Sequence, residues 1–302
     1  MLDRAHQYFW EVANSGSIRA SSETLHVAAS AISRQLAKLD DLYGASLFDR
    51  HAKGMSLSDA GKLVFRKVRD LRVEADQLHT EILSLKGIEK GSVRIVCGEG
   101  FVTDFMRHAL VDFASRYPGI TYTINNFGTD ELVRTILENG ADIGLIYNAT
   151  VSPSLKVEFK RRCPIRLIAH PRRKLPRGPI SLSSLGDIPC GMLPASFGTR
   201  QALAEAEMKA KVALTTRIET SSISVLRAFV REDLGITFLP EFSVIDDIAA
   251  GLLVSVALTD SALSKPEAQV VVSGERRQSF ASRAILNCLS ANMFAFGSGK
   301  SH

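Results

Sequence analysis

Between Asp59 and Lys86 the chain has no proline, and its only glycine there is Gly61, near the start. Val64, Val68, Leu71, Ala75, Leu78, Ile82 and Leu85 follow at steps of four, three, four, three, four and three residues. An α-helix turns once in about 3.6 residues, so this spacing gathers the apolar side chains into one narrow seam. A helix about 40 Å long with a single seam is poorly explained inside one compact domain. The stretch predicts a linker helix that pairs with its mate from another subunit. Gly87, Gly91 and Ser92 mark its far boundary, so the chain divides into something before the stalk and something after it.

Before the stalk, residues 17–42 read SIRASSETLHVAASAISRQLAKLDDL. Ser17 is a suitable N-cap for a helix from Ile18 to Leu25. His26, Val27 and Ala28 form a corner, and a second helix runs from about Ala29 to Leu42. Ile32, Leu36 and Leu39 recur at helical spacing and face inward. The opposite face carries Ser30, Ser33, Arg34, Gln35 and Lys38, all hydrogen-bond donors. Apolar behind and donor-rich in front is the make-up of a helix-turn-helix recognition helix that enters the major groove of double-stranded DNA. A plain amphipathic helical hairpin would give the same pattern, so the flanks have to decide.

Upstream, Tyr8, Phe9, Val12 and Ala13 supply a covering helix. Downstream, Leu47 and Phe48 start a strand, residues 51–54 turn, Met55 and Leu57 return, and Ser58 caps the stalk. Arg50, His51 and Lys53 sit at that hairpin's tip, suited to phosphates or the minor groove. In this order and spacing, YFWEVANSGSI, LHV, SAISRQLAKLDDLYGASLFDR and LSDAG resemble the LysR-type transcriptional regulators. Two departures stand out. Ala28-Ala29 replaces a polar pair, removing some DNA contacts, and Ser21-Ser22 replaces two alanines.

From Val93 the pattern changes to alternating strands and helices. VRIVC (Val93 to Cys97) is a strand, followed by a helix from about Asp104 to Arg116 and a strand from Ile120 to Asn125. A helix from Glu131 to Asn139 and a strand from Ala141 to Tyr147 follow. Arg166 to His170 begins a second lobe, with strands near 189–193, 213–219 and 235–239. Its helices run to Met208 and over 222–231. Gln269 to Ser273 returns to the first lobe, and 279–292 is a last helix. RYPGI, ENGADIGLIY and REDLGITFLP extend the family resemblance over nearly the whole chain, with Glu232-Asp233 where Ala-Gly is usual. The resemblance implies a multidomain chain: a winged helix-turn-helix (1–58), a coiled-coil linker helix (59–90) and a two-lobed α/β periplasmic-binding-protein-like effector domain (91–302). Lobe I would span about 91–160 and 266–296, and lobe II about 161–265.

Ligands of open α/β lobes sit beyond the carboxyl ends of strands, where helix N-termini point. That rule selects the loops 98–103, 127–130, 194–199 and 221–224. They offer Gly100, Phe101, Thr103, Thr129, Ser196, Phe197, Thr199 and Ser222 to a small anion, most simply a carboxylate. Each also has a plainer role in helix capping or lobe packing. Phe101, Phe127 and Phe197 can wall the cleft, Gly100 leaves room, and Glu99 can pair with Arg200 or receive a ligand amine. By resemblance, Gly100, Thr129 and Ser196 fall where family members contact effectors.

Composition narrows the field further. The formal net charge is +5, yet the cations and acids of residues 1–58 cancel. DNA affinity must then come from placing Arg34, Lys38, Arg50 and Lys53 on one surface. The acid-free run from Lys160 to Arg177 reads as a solvated surface of the later domain. No apolar run approaches the roughly 20 residues that span a bilayer, and Asp3, Arg4, His6 and Gln7 interrupt any charged-then-apolar leader pattern, so a cytoplasmic protein without membrane contact is expected. Cys97, Cys163, Cys190 and Cys288 lack pair spacing, which argues for reduced thiols and against a zinc site. No cofactor or metal is expected. The seven histidines form no catalytic motif, and neither HExxH nor GxSxG occurs, which counts against an enzyme. The GSGKSH terminus lacks the context of a phosphate loop and reads as a tail. The expected partners are operator DNA, an anionic small molecule, a second copy through the stalk with a tetramer beyond it, and RNA polymerase as a further contact.

Overall fold

The structure, a computed structural model, describes residues 3–51, 54–85, 90–149, 152–176, 178–274 and 278–297. It divides into two compact units, Met1–Lys86 and Gly87–His302.

In the first unit, α1 (Arg4–Ser15) opens with the Asp3 carboxylate accepting the His6 N–H at 2.9 Å. Helix α2 (Ile18–Leu25) starts where the sequence places it, with Ser17 Oγ accepting the Ala20 N–H at 3.3 Å. It ends at His26, whose φ of 53° lies in the left-handed region rarely used outside glycine. Helix α3 (Ala29–Tyr43) stops at Gly44, and Ile32, Leu36 and Leu39 are buried against Phe9 and Val12 in one cluster. The two serines that replace alanines are satisfied. Ser21 is fully buried and bonds Ser15 Oγ at 2.7 Å, and Ser22 Oγ donates to the Val27 carbonyl at 2.7 Å, closing the corner. Strands β1 (Phe48–His51) and β2 (Gly54–Leu57) form the antiparallel wing, in register from Phe48↔Leu57 to His51↔Gly54.

Ser58 Oγ accepts the Gly61 N–H at 3.0 Å and starts α4 (Asp59–Leu85). The seam along this helix is divided. Val64 and Val68 pack in the core of the first unit, beside Phe65, which stacks on Trp10 at 4.6 Å. Leu71, Ala75, Leu78 and Ile82 are exposed, Leu78 at 60%. The Leu85 side chain and Lys53 lie outside the described residues.

In the second unit, the chain runs through β3 (Lys90–Cys97), α5 (Val102–Asp104), a π turn (Phe105–Leu110), α6 (Val111–Arg116) and β4 (Gly119–Asn126). It continues through α7 (Thr129–Leu137), β5 (Ile143–Tyr147), β6 (Leu155–Arg162), β7 (Ile165–Ala169), β8 (Cys190–Met192) and α8 (Gly198–Ala210). It finishes with β9 (Thr216–Glu219), α9 (Ile223–Arg231), β10 (Ile236–Pro240), α10 (Ile245–Ala249), β11 (Val254–Val256), β12 (Glu267–Ser273) and α11 (Phe280–Asn292). One sheet has the order β4-β3-β5-β12-β6 and the other β11-β7-β10-β8-β9. The β3, β4 and β5 pairings are parallel, and β12 returns antiparallel between β5 and β6. These sheets are the two lobes, and one apolar cluster runs through both.

Several expected boundaries move. The helix expected from about Asp104 begins earlier, at Val102. Asp104 is fully buried, accepts the Phe294 and Ala295 N–H groups at 2.9 and 2.8 Å, and lies 2.8 Å from His108 Nδ1. A carboxylate there satisfies backbone donors that would otherwise be stranded. Helix α7 starts at Thr129 rather than Glu131. Strand β6 was not expected, although Leu155, Val157 and Phe159 alternate as a half-buried strand should. The Glu232-Asp233 departure does fall at a helix end: Asp233 takes a φ of 51° and pairs with Arg173 at 2.7 Å.

Candidate functional site

On α3, Ser30, Arg34 and Lys38 are exposed and Ser33 and Gln35 half-buried, while the apolar residues between them are sealed. Among the described residues, Arg34 reaches only its own helix, Nε donating to the Ser30 carbonyl at 3.4 Å. No side chain caps the N-terminus at Ala28, so the first turn of α3 is open. Arg50 is exposed on the wing beside the acidic Asp49, which is exposed too. A helix with unpaired side-chain donors on one face can offer them to base edges and phosphates.

The basic run divides into structural parts. Lys160 pairs with Glu267 at 2.9 Å, Arg161 donates to the Phe294 and Gly297 carbonyls, and Arg173 holds Asp233. Arg172 and Lys174 are exposed, and Arg177 lies outside the described residues.

Between the lobes lie two adjoining spaces that share lining residues. The inner one is a narrow apolar cavity lined by Gly100, Phe101, Thr129, Tyr147, Thr199 and Phe242, among others. The outer mouth, about 430 Å³, is lined by Glu99, Asn126, Asp130, Glu131, Ser196 and Ser221. Phe127, Phe197 and Glu99 line both. Three helices begin here. Helices α7 and α8 have no side-chain cap, with Gly128 and Phe197 at their N-cap positions. Their ends touch, since the Gly198 N–H donates to Thr129 Oγ1 at 3.4 Å across the cleft. The approach is tight: a Cβ on Gly198 would stand 2.1 Å from the Tyr147 carbonyl oxygen, so no other residue fits without a shift. Helix α9 is capped by Ser222, whose Oγ accepts the Val225 N–H at 3.4 Å.

The sequence-selected residues separate accordingly. Thr129, Ser196, Phe197 and Thr199 come together at the α7 and α8 ends. Ser222 is a cap and lines neither space, and Thr103 in α5 lines neither. Phe101 is a core residue, 1% exposed, stacked on Phe242 at 4.6 Å. Gly100 gains no room, because a Cβ there would meet Ser243 Oγ at 2.6 Å. Glu99 does not pair with Arg200, which holds Glu207 at 2.7 Å.

Sequence reasoning missed where Glu99 goes. Its Oε2 accepts the Ile223 N–H at 2.7 Å, and its Oε1 accepts the Ser224 N–H at 3.1 Å. The hydroxyls of Ser222 and Ser224 also donate to Oε1, at 3.2 and 3.1 Å. A lobe-I carboxylate thus sits on the N-terminus of a lobe-II helix. Glu99 lies 123 residues before Ser222, and no local pattern signals the pairing.

The four cysteines are free thiols. Burial pushes Cys97 and Cys190 up to about 12 and Cys163 to about 11, and raises Cys288 as well. Thiolate, the reactive form, is therefore scarce at all four. Among the described residues, no group of His, Cys, Asp and Glu could hold a metal ion, and no helix is long and apolar enough to cross a membrane.

Residues 4–62 match the profile of the bacterial regulatory helix-turn-helix protein, lysR family, and residues 86–293 match the LysR substrate binding domain. The HTH-type transcriptional activator CmpR of Synechocystis is 26% identical over 247 residues, 79% of each chain. A cysteine-to-aspartate variant of full-length OxyR from Pseudomonas aeruginosa superposes with a TM-score of 0.75 at 16% identity, covering 100% of this chain and 99% of that one. The regulatory domain of Synechocystis CcmR, solved in complex with 2-PG, gives a TM-score of 0.58 at 19% identity, covering 66% of this chain and 96% of its own.

Proposed function

The chain belongs to the LysR family of bacterial transcriptional regulators, and on that premise we propose how its two units divide the work. The first unit reads operator DNA through α3. Ser30, Ser33, Arg34 and Gln35 meet base edges in the major groove, while Lys38, Arg50 and Lys53 hold the backbone. The observation that carries this reading is the solvent-facing row of donors on α3, set on a sealed apolar back.

The exposed part of the stalk, Leu71 to Ile82, pairs with a second copy and fixes the distance between two recognition helices. Val64 and Val68 contribute by anchoring α4 to the first unit instead. Pairing of effector units would extend the dimer to a tetramer in the cytoplasm, and RNA polymerase is the partner through which DNA binding changes transcription. The chain acts by binding and not by catalysis.

The second unit binds a small effector where α7 and α8 begin. Two uncapped helix ends supply N–H groups and partial positive charge, and Thr129, Ser196 and Thr199 supply hydroxyls. Asp130 and Glu131 on the rim oppose a polyanion, so the fitting ligand carries a single carboxylate. CcmR, whose regulatory domain shares this fold, was solved with a small ligand bound. Sedimentation of the full chain with and without DNA tests the assembly. A dimer or larger species that shifts on DNA is expected, and Leu78→Glu should move it toward monomer. A monomer indifferent to DNA would overturn the reading.

A further inference from the structure

The loop after β3 carries two glycines around one acid, Gly98-Glu99-Gly100, and that acid crosses to the other lobe. Four donors converge on its carboxylate: two backbone N–H groups of the first turn of α9 and two serine hydroxyls. A carboxylate with several hydrogen bonds on a helix N-terminus is a strong, charge-assisted contact. Other links between the lobes are the Gly198 N–H to Thr129, Asn148 Nδ2 to the Gly198 carbonyl at 3.0 Å, and the Arg107–Asp246 ion pair. Of the three helix N-termini at the cleft, α9 takes a carboxylate, supplied from within the chain, whereas on α8 only the Gly198 N–H is engaged, by the Thr129 hydroxyl.

We propose that Glu99 determines the specificity of the cleft by acting as a carboxylate ligand built into the protein. It ties lobe I to lobe II and occupies the α9 terminus, so an effector's carboxylate is directed to the ends of α7 and α8. This inference rests on reading the cleft as the effector site. An incoming carboxylate competes at α9 against a group already tethered beside it, whose effective concentration is high. Glu99 also stands between the inner cavity and the mouth, so the same contact limits how deep a ligand reaches.

The test is residue-resolved amide exchange on the full chain, with acetate as the probe. In Glu99→Ala, exchange at Ile223 and Ser224 should speed up about ten- to a hundredfold, as expected for losing charge-assisted bonds. Acetate should then slow it again by filling the vacated place, while leaving those two amides unchanged in the wild type. Glu99→Gln keeps the side-chain shape and one acceptor oxygen but removes the charge and puts an amide donor where the other oxygen stood, so it should lose part of the protection. Unchanged exchange at Ile223 and Ser224 in both variants overturns the proposal, as does equal acetate protection of those amides in wild type and Glu99→Ala. The effector reading is judged separately, from acetate protection of residues 129–131 and 198–200 in the wild type. Its failure would leave the Glu99 contact standing if the two variants still lose protection.

Discussion

The first turns of α3 and α9 face opposite situations. On α3 the N-cap is an alanine, no side chain covers the turn, and Ser30 and Arg34 point outward. On α9 a serine caps the turn, and a glutamate from the other lobe takes the donors that remain. Both ends begin with N–H groups that have no acceptor within their own helix and with the same partial charge. The difference is where the acceptor comes from. An open turn on a rigid, well-packed helix suits a partner that arrives from outside, such as a phosphodiester backbone. A filled turn inside a cleft holds the fold together and narrows what else can bind. The contrast implies that removing a donor from α3 costs binding and not stability, whereas removing an acceptor inside the second unit costs stability first.

The largest effect expected from that contrast is at Asp104. Its buried carboxylate serves two backbone N–H groups and His108, so Asp104→Ala should destabilise the second unit by about 3–5 kcal/mol. Urea unfolding can separate the units, because the single tryptophan, Trp10, lies in the first. Its fluorescence midpoint should hold while the circular-dichroism midpoint of the rest falls. A joint shift of both signals would break the contrast.

Arg34→Ala should weaken binding to the specific operator by about 1–3 kcal/mol in a gel-shift titration, with no change in either unfolding midpoint. Smaller still, Lys38→Ala should weaken binding to all sequences alike and reduce the slope of affinity against salt by about one. A loss confined to one sequence would move Lys38 from the backbone to the bases.

The smallest effect belongs to the thiols. Cys97 and Cys190 are raised by burial from 9.0 to about 12. Iodoacetamide at neutral pH should therefore leave them unmodified in the folded protein, as mass spectrometry would show. Linkage gives the accompanying pH trend. The unfolded thiols ionise first, so this contribution to stability is complete below pH 9 and is lost as pH climbs toward 12.

What could be read in advance follows the same division. The recognition helix, the corner before it and the cap of α2 were legible because helical period and capping act within a few residues: Ser17, Ile32, Leu36 and Leu39 lie where the pattern puts them. Most strands of the lobes were legible as short apolar runs between turn residues, with β6 overlooked beneath its basic side chains. The cleft was only half legible. The helix ends that bear Thr129 and Ser196 follow from strand and loop order. The role of Glu99 depends on a residue far along the chain, and so does the burial of Phe101 under Phe242. The seam of α4 shows a third case. Its period was plain, yet nothing in the period distinguishes Val68, buried beneath α1, from Leu78, left in solvent.

The central claim is that α3 reads a DNA sequence. Its most direct test is to sequence the genomic fragments retained by the full chain and by Arg34→Ala side by side. The account expects the wild type to enrich paired half-sites at a fixed spacing, near one helical turn or a multiple of it. Arg34→Ala should lose that enrichment while still retaining bulk DNA. Identical fragment sets from the two proteins, or no enriched sequence in either, would contradict it.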